Sequence, residues 1–166
     1  GMRSLFVRSI LLTAAICTVI AVASCGDDDD PAGTGPTGSM SGTIQFRGTW
    51  PASGSIYVTV NSVYPPTGAP DAFTAAISPG MLTPQRTYDW SISGLEVGTY
   101  AAILIGWRGG PGNDKCLGMH WEYLDSLGVQ ADCNPGDPGI APTAVSVTKD
   151  VTTPNVDMVA DLDLAD

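Results

Sequence analysis

Three side chains have the types that could assemble a soft-metal or nucleophilic site: Cys116, His120 and Cys133. Cys116 and His120 lie four positions apart, and zinc accepts thiolate sulfur together with imidazole nitrogen. No fourth ligand is evident, and ligation by thiolate competes with disulfide formation. His120 is the single histidine of the chain. Ser-His-Asp catalysis would have to use it, yet no nucleophile-elbow pattern accompanies it. The sequence therefore points to no catalytic residue, no metal and no cofactor.

Recognition suits the residue types better. Trp107, Trp121 and Tyr123 flank or lie within one stretch that also carries Asn113, Asp114, His120, Glu122 and Asp125. Ring faces cover the C–H patches of a sugar, while amides and carboxylates bond its hydroxyls. The same aromatics would equally serve to cover a core beneath a loop, and that plainer role is favoured. Cys116 and Cys133 are expected to bridge in an oxidising compartment, the alternative being two free thiols. Closing that loop contributes roughly 3 kcal/mol in the chain-entropy picture.

A compartment of that kind is indicated upstream. Met2 to Arg8 is short and basic, with Gly1 ahead of it reading as a cloning remnant, and Ile10 to Ala23 carries no charge. This run falls short of the roughly 20 apolar residues that span hydrocarbon. A basic start, an apolar centre and small residues at the end describe a secretory signal over residues 1–24. Val22-Ala23-Ser24-Cys25 resembles the lipobox of bacterial lipoproteins. The resemblance implies cleavage before Cys25 and acylation of that cysteine, and stable anchoring takes about two chains at roughly 0.8 kcal/mol per buried methylene. Gly26, where inner-membrane sorting would have aspartate, implies the outer membrane, on its periplasmic or surface face. Asp27 to Asp30 and the Gly/Pro-rich run to Ser39 cannot bury enough apolar surface to order themselves. Residues 25–39 are thus expected to form an acidic tether of about 20 Å as a flexible coil. The acidic run also resembles surface-export signals. Calcium chelation by the four aspartates is disfavoured, since they lack the spaced ligands and turn glycine of a calcium loop.

The whole chain carries a net charge of −10. Without Arg3 and Arg8, five cationic residues face 17 acidic ones, leaving −12. Nucleic acid is excluded as a partner, because its binding requires a basic patch. Residues 40–166 are enough for one core and too few for two ordinary domains.

Within them, period-two alternation recurs between turn signals. Ile44 and Phe46 share a face, as do Ile56, Val58 and Val60, and Tyr88, Trp90 and Ile92. Residues 144–148 and 155–162 alternate likewise, 99–107 is more uniformly apolar, and 71–77 reads as a weak edge strand. Helical periodicity is not sustained anywhere in this region. About seven one-sided strands call for two facing sheets, so the expected fold is all-β, a single antiparallel β-sandwich. A long Gly- and Pro-rich excursion, stapled by the cysteine pair, is expected from Arg108 to Pro142.

The stretch "YDWSISGLEVGTYAAILIGW" is similar to the strand, G-L-x-x-G-x-Y, strand signature of carboxypeptidase regulatory-like and transthyretin-like (prealbumin-type) domains. The resemblance implies that Gly94 and Gly98 shape a five-residue turn and that Tyr100 packs under it. Ser41-Gly42-Thr43-Ile44 matches the first strand of such domains and Val156 to Leu162 their closing strand. The segment from Gly109 to Gly139 and the cysteine pair depart from the pattern. Hydrolases of urate metabolism on this fold use several histidines, an arginine and a C-terminal Tyr-Arg-Gly-Ser, whereas this chain ends Asp163-Leu164-Ala165-Asp166. Ring dioxygenases of similar topology need two tyrosines and two histidines. The expected function is therefore a non-catalytic, lipid-anchored module of the bacterial envelope, with the membrane as partner through Cys25 and a glycan or envelope protein as its ligand. A metal-dependent enzyme is the weakest reading.

Overall fold

The computed structural model describes residues 35–122 and 141–165. Where apolar and polar residues alternate, as over residues 55–60, every second side chain is buried. Among the described residues there are ten strands: β1 (Thr37–Arg47), β2 (Ser55–Asn61), β3 (Ala72–Phe73), β4 (Thr87–Glu96), β5 (Gly98–Tyr100), β6 (Ala102–Arg108), β7 (Asp114–Met119), β8 (Val145–Val147), β9 (Thr152–Thr153) and β10 (Met158–Asp161). One sheet has the order β10-β1-β4, with β9 also pairing β1; the other runs β3-β2-β6-β7. β5 and β8 form a small third sheet. Met40, Ile44 and Phe46 of β1, with Trp90 and Ile92 of β4, meet Ile56, Val58 and Val60 of β2 and Ile103, Ile105 and Trp107 of β6 in one core. The Trp90 indole N–H reaches the Val156 carbonyl at 3.2 Å, so its polar edge is satisfied inside that core. The fold is all-β and sandwich-like.

Several boundaries differ from the expectation, for identifiable reasons. The sandwich is not purely antiparallel: β1 pairs in parallel with both β10 and β9. The tether was expected to run through Ser39 and the domain to begin at residue 40, yet Thr37 to Ser39 already belong to β1. Those three residues pair with Leu95, Glu96 and Ser93 of β4 across a bulge. The same pairing continues β4 to Glu96, so the five-residue turn expected at Gly94–Gly98 is reduced to Val97 between two strands. The Val97 N–H donates to the Pro36 carbonyl at 3.0 Å. The apolar run 99–107 divides because Thr99 and Tyr100 pair with β8 while residues from Ala102 on pair with β2. The excursion expected from Arg108 begins as a hairpin: β7 pairs antiparallel with β6, with Leu117 as an extra residue at a bulge.

Candidate functional site

The candidate binding residues do not converge. Trp107 points into the core, 6 % exposed, with its indole N–H donating to the Ser53 carbonyl at 3.0 Å and with Gly54 and Gly109 packed against its rings. Trp121 is buried in a separate small cluster with Ala102, Leu104 and Met119, against which Tyr64 and Cys116 pack. Neither tryptophan thus offers the exposed ring face that a sugar would require, because both rings are committed to packing. Asn113 lies in the β6–β7 turn, its N–H donating to Gly110 and its carbonyl accepting from Gly109. Asp114 opens β7 and pairs with Arg108 at 3.0 Å, both side chains well exposed. That carboxylate raises the Arg108 pKa above its ordinary value, chiefly through the hydrogen bond.

His120 follows β7 and is held by its backbone between Ile103 and Thr143. Its Nδ1 lies 2.9 Å from the Asp157 carbonyl, an acceptor, so Nδ1 carries the proton there. The Glu122 N–H donates to Thr143 Oγ1 at 2.7 Å while its side chain is exposed. Tyr123, Asp125, Cys133 and Cys25 lie outside the described residues. Among the described residues no three of His, Cys, Asp and Glu gather as a metal site.

What the structure does bring together is the outer face of the β3-β2-β6-β7 sheet. Tyr57, Thr59 and Asn61 alternate with the core residues of β2 and so share the opposite face. Phe73 of β3 stands edge-on to Tyr57, ring centroids 6.2 Å apart at 86°. Gly106 of β6 pairs with Tyr57 in register. These residues, with Pro66, Pro70 and the Arg108–Asp114 pair, line a groove of about 540 Å³. A second depression of about 350 Å³ shares Thr59, Gly106 and Lys115 with it and extends toward Tyr64, Leu104 and Cys116.

Of the residues singled out in the sequence, Trp107 and Asp114 line this groove, the former from the core side of its strand. Tyr57, Asn61 and Phe73 were missed. The signal for the first two was present: once Ile56, Val58 and Val60 are assigned inward, the intervening side chains must line the other face. Phe73 carried no such signal, since two residues of edge strand show no period. Comparison with known proteins returns no match, whether to a family model, to a curated protein or to a solved structure.

Proposed function

We propose that this chain is a non-catalytic, lipid-anchored interaction module of the bacterial outer membrane, presenting a transthyretin-like sandwich on an acidic tether. The observation that carries the reading is the succession along the chain. A lipobox-like Val22-Ala23-Ser24-Cys25 precedes Asp27 to Asp30 and a Gly/Pro-rich run, and β1 opens at Thr37. An acylated Cys25 would therefore be separated from the first strand by the eleven residues 26–36, four of them aspartate. The interaction role draws support from the aromatic groove on the outer sheet face. The non-catalytic role draws support from His120, whose backbone and Nδ1 are engaged in structural bonds.

The transthyretin-like character is supported by Tyr100, which is buried and donates its hydroxyl to the Glu96 carbonyl at 3.0 Å beneath the β4–β5 connection. The Cys116–Cys133 bridge belongs to the same reading. Cys116 is half-buried on β7, beside the tryptophan cluster, where a staple would fasten the following segment to the sheet.

Expression of the full chain in a Gram-negative host tests the anchor. The wild type is expected in the membrane fraction with acyl mass on Cys25. Cys25→Ser is expected in the soluble fraction, with an unchanged melting temperature. Retention of the serine variant in the membrane fraction would overturn the proposal.

A further inference from the structure

We propose that the groove on the outer face of β2 and β6 binds a glycan, a pyranose polymer seated on Tyr57 and Phe73 with Gly106 as its floor. The inference rests on the reading of the chain as an interaction module and gives that module a ligand class.

Gly106 is the most telling residue. It sits inside β6, between partners on both sides, where glycine weakens a strand and leaves no side chain to pack. Its fold does not require glycine. The position is outside the positive-φ set, and a Cβ there would meet nothing nearer than Thr59 Cγ2 at 3.9 Å. The bulge opposite it places the extra residue, Leu117, on β7 and not on β6. What the missing side chain does accomplish is to keep the floor of the groove low, since a larger residue would stand up beside Tyr57, its partner on β2.

The walls suit a ligand with apolar faces and polar edges. Phe73 is 65 % exposed on its short edge strand, held edge-on against Tyr57 with much of its ring open to solvent. Asn61, which borders the same groove, is the only buried polar residue among the described residues, at 5 % exposed. Its amide nitrogen is held by Thr59 Oγ1 at 3.3 Å and the Ala102 carbonyl at 3.4 Å, which leaves the amide oxygen without a partner among the described residues. At the other end, Arg108 and Asp114 offer donors and an acceptor side by side. The rim segment carrying Pro66 and Pro70 is braced at its base, where the Ser62 N–H donates to Asp71 and the Asp71 N–H to the Val60 carbonyl. The cleft is thus formed before any ligand arrives, which limits the ordering cost of binding.

A sugar chain fits these features better than a peptide. An extended peptide binds by adding a strand to a free sheet edge or, when proline-rich, by docking on aromatic rings, the mode that the proline-rich peptide in the titration tests. Here the floor is a sheet face whose backbone groups are already used by the β2–β6 and β6–β7 ladders. An amphipathic helix needs a continuous apolar trough, and Thr59, Asn61, Arg108 and Asp114 interrupt this one. Pyranose rings present C–H faces to aromatic rings and hydroxyls to amide, guanidinium and carboxylate. Arg108 and Lys115 beside Asp114 also keep this end of the groove from being acidic in a chain of net charge −10. Neutral and carboxylate-bearing sugars are therefore both admissible.

The test titrates the full chain with soluble neutral glucans, xylan, galactomannan, N-acetylhexosamine oligomers and polyuronates, and with a proline-rich peptide, by calorimetry. At least one polysaccharide is expected to bind. Phe73→Ala is expected to weaken that binding roughly tenfold or more, Gly106→Val to abolish it, and Lys149→Ala, outside the groove, to leave it unchanged. Phe73 is exposed, so its variant stays informative even if Gly106→Val fails to fold. Neutral or acidic binders alike support the proposal and name the sugar. Absence of binding across the panel overturns it, as does affinity indifferent to Phe73→Ala, or capture of the peptide alone. Membrane release of Cys25→Ser is read separately, so the ligand assignment can fail while the anchored module stands.

Discussion

Tyr64 and Tyr100 place the same hydroxyl in opposite circumstances. The Tyr100 hydroxyl donates to the Glu96 carbonyl at 3.0 Å, whereas the buried Tyr64 hydroxyl has no partner among the described residues. A net hydrogen bond contributes about 1 kcal/mol, and an unsatisfied buried group costs about 1–3 kcal/mol. Tyr100→Phe is therefore expected to destabilise by about 1 kcal/mol in urea titrations, and Tyr64→Phe to be neutral or stabilising. Burial raises the pKa of both above 10, and for Tyr100 the charges of Asp71 and Glu96 raise it further. The neutral phenol is thus favoured in the fold, and the unfolded chain loses its protons first, near pH 10. The corresponding stability is complete below that pH and is lost as pH rises through the folded-state values. Urea titrations above pH 10 are expected to show falling stability, and the double Tyr→Phe variant to fall less steeply. An unchanged decline would assign the alkaline sensitivity to other groups.

Among the elements, β2 and the middles of β1 and β4 were legible because one apolar set recurs there at period two, as Ile56, Val58 and Val60, Ile44 and Phe46, and Trp90 and Ile92 do. β7 was not, for a physical reason that its bulge exposes. Leu117 is the extra residue, so the chain Lys115-Cys116-Leu117-Gly118-Met119 changes phase midway and the burial pattern no longer alternates. The first three residues of β1 were equally hidden. Thr37-Gly38-Ser39 carries no apolar residue, and only partnership with the end of β4 and, at Ser39, with β9 makes it a strand. The groove was half legible for a related cause: the alternation that announced the core of β2 implied its outer face, but nothing local announced Phe73. Two glycines separate what the fold needs from what the groove needs. A Cβ on Gly118 of β7 would overlap the Val159 carbonyl of β10, so that glycine lets the two sheets close on each other. Gly118→Ala is expected to cost roughly 1–3 kcal/mol by overpacking. Gly106→Ala, with open space above it, is expected to gain about 0.4–1 kcal/mol by restricting the unfolded chain. Urea midpoints of the two variants measure the contrast, and a Gly106→Ala loss as large as that of Gly118→Ala would show that Gly106 serves the fold.

For the whole molecule, the proposed anchor and the proposed bridge constrain each other. Export as proposed would deliver the chain to a compartment that oxidises paired cysteines. On that proposal Cys25 would be consumed as a thioether and Cys17 would leave with the leader, so two cysteines, Cys116 and Cys133, would remain. Their proposed pairing would tether β7, beside the Trp121 cluster, to the segment carrying Cys133. Cross-linking a loop of this size removes freedom from the unfolded state and contributes about 3 kcal/mol. Alkylation of unreduced chain from the envelope is expected to add no mass at either cysteine, and alkylation after reduction to add it at both. Reduction, or the double Cys116→Ser/Cys133→Ser variant, is expected to lower the unfolding free energy by about 3 kcal/mol. The β2–β6 groove should survive that loss, because its floor and its aromatic wall belong to β2, β3 and β6 and not to the stapled segment. Glycan affinity that persists in the cysteine variant would therefore separate the staple as a device of stability from the groove as a device of recognition. Affinity that vanishes with the bridge, at a temperature where the variant is still folded, would instead place the ligand on the segment between the two cysteines.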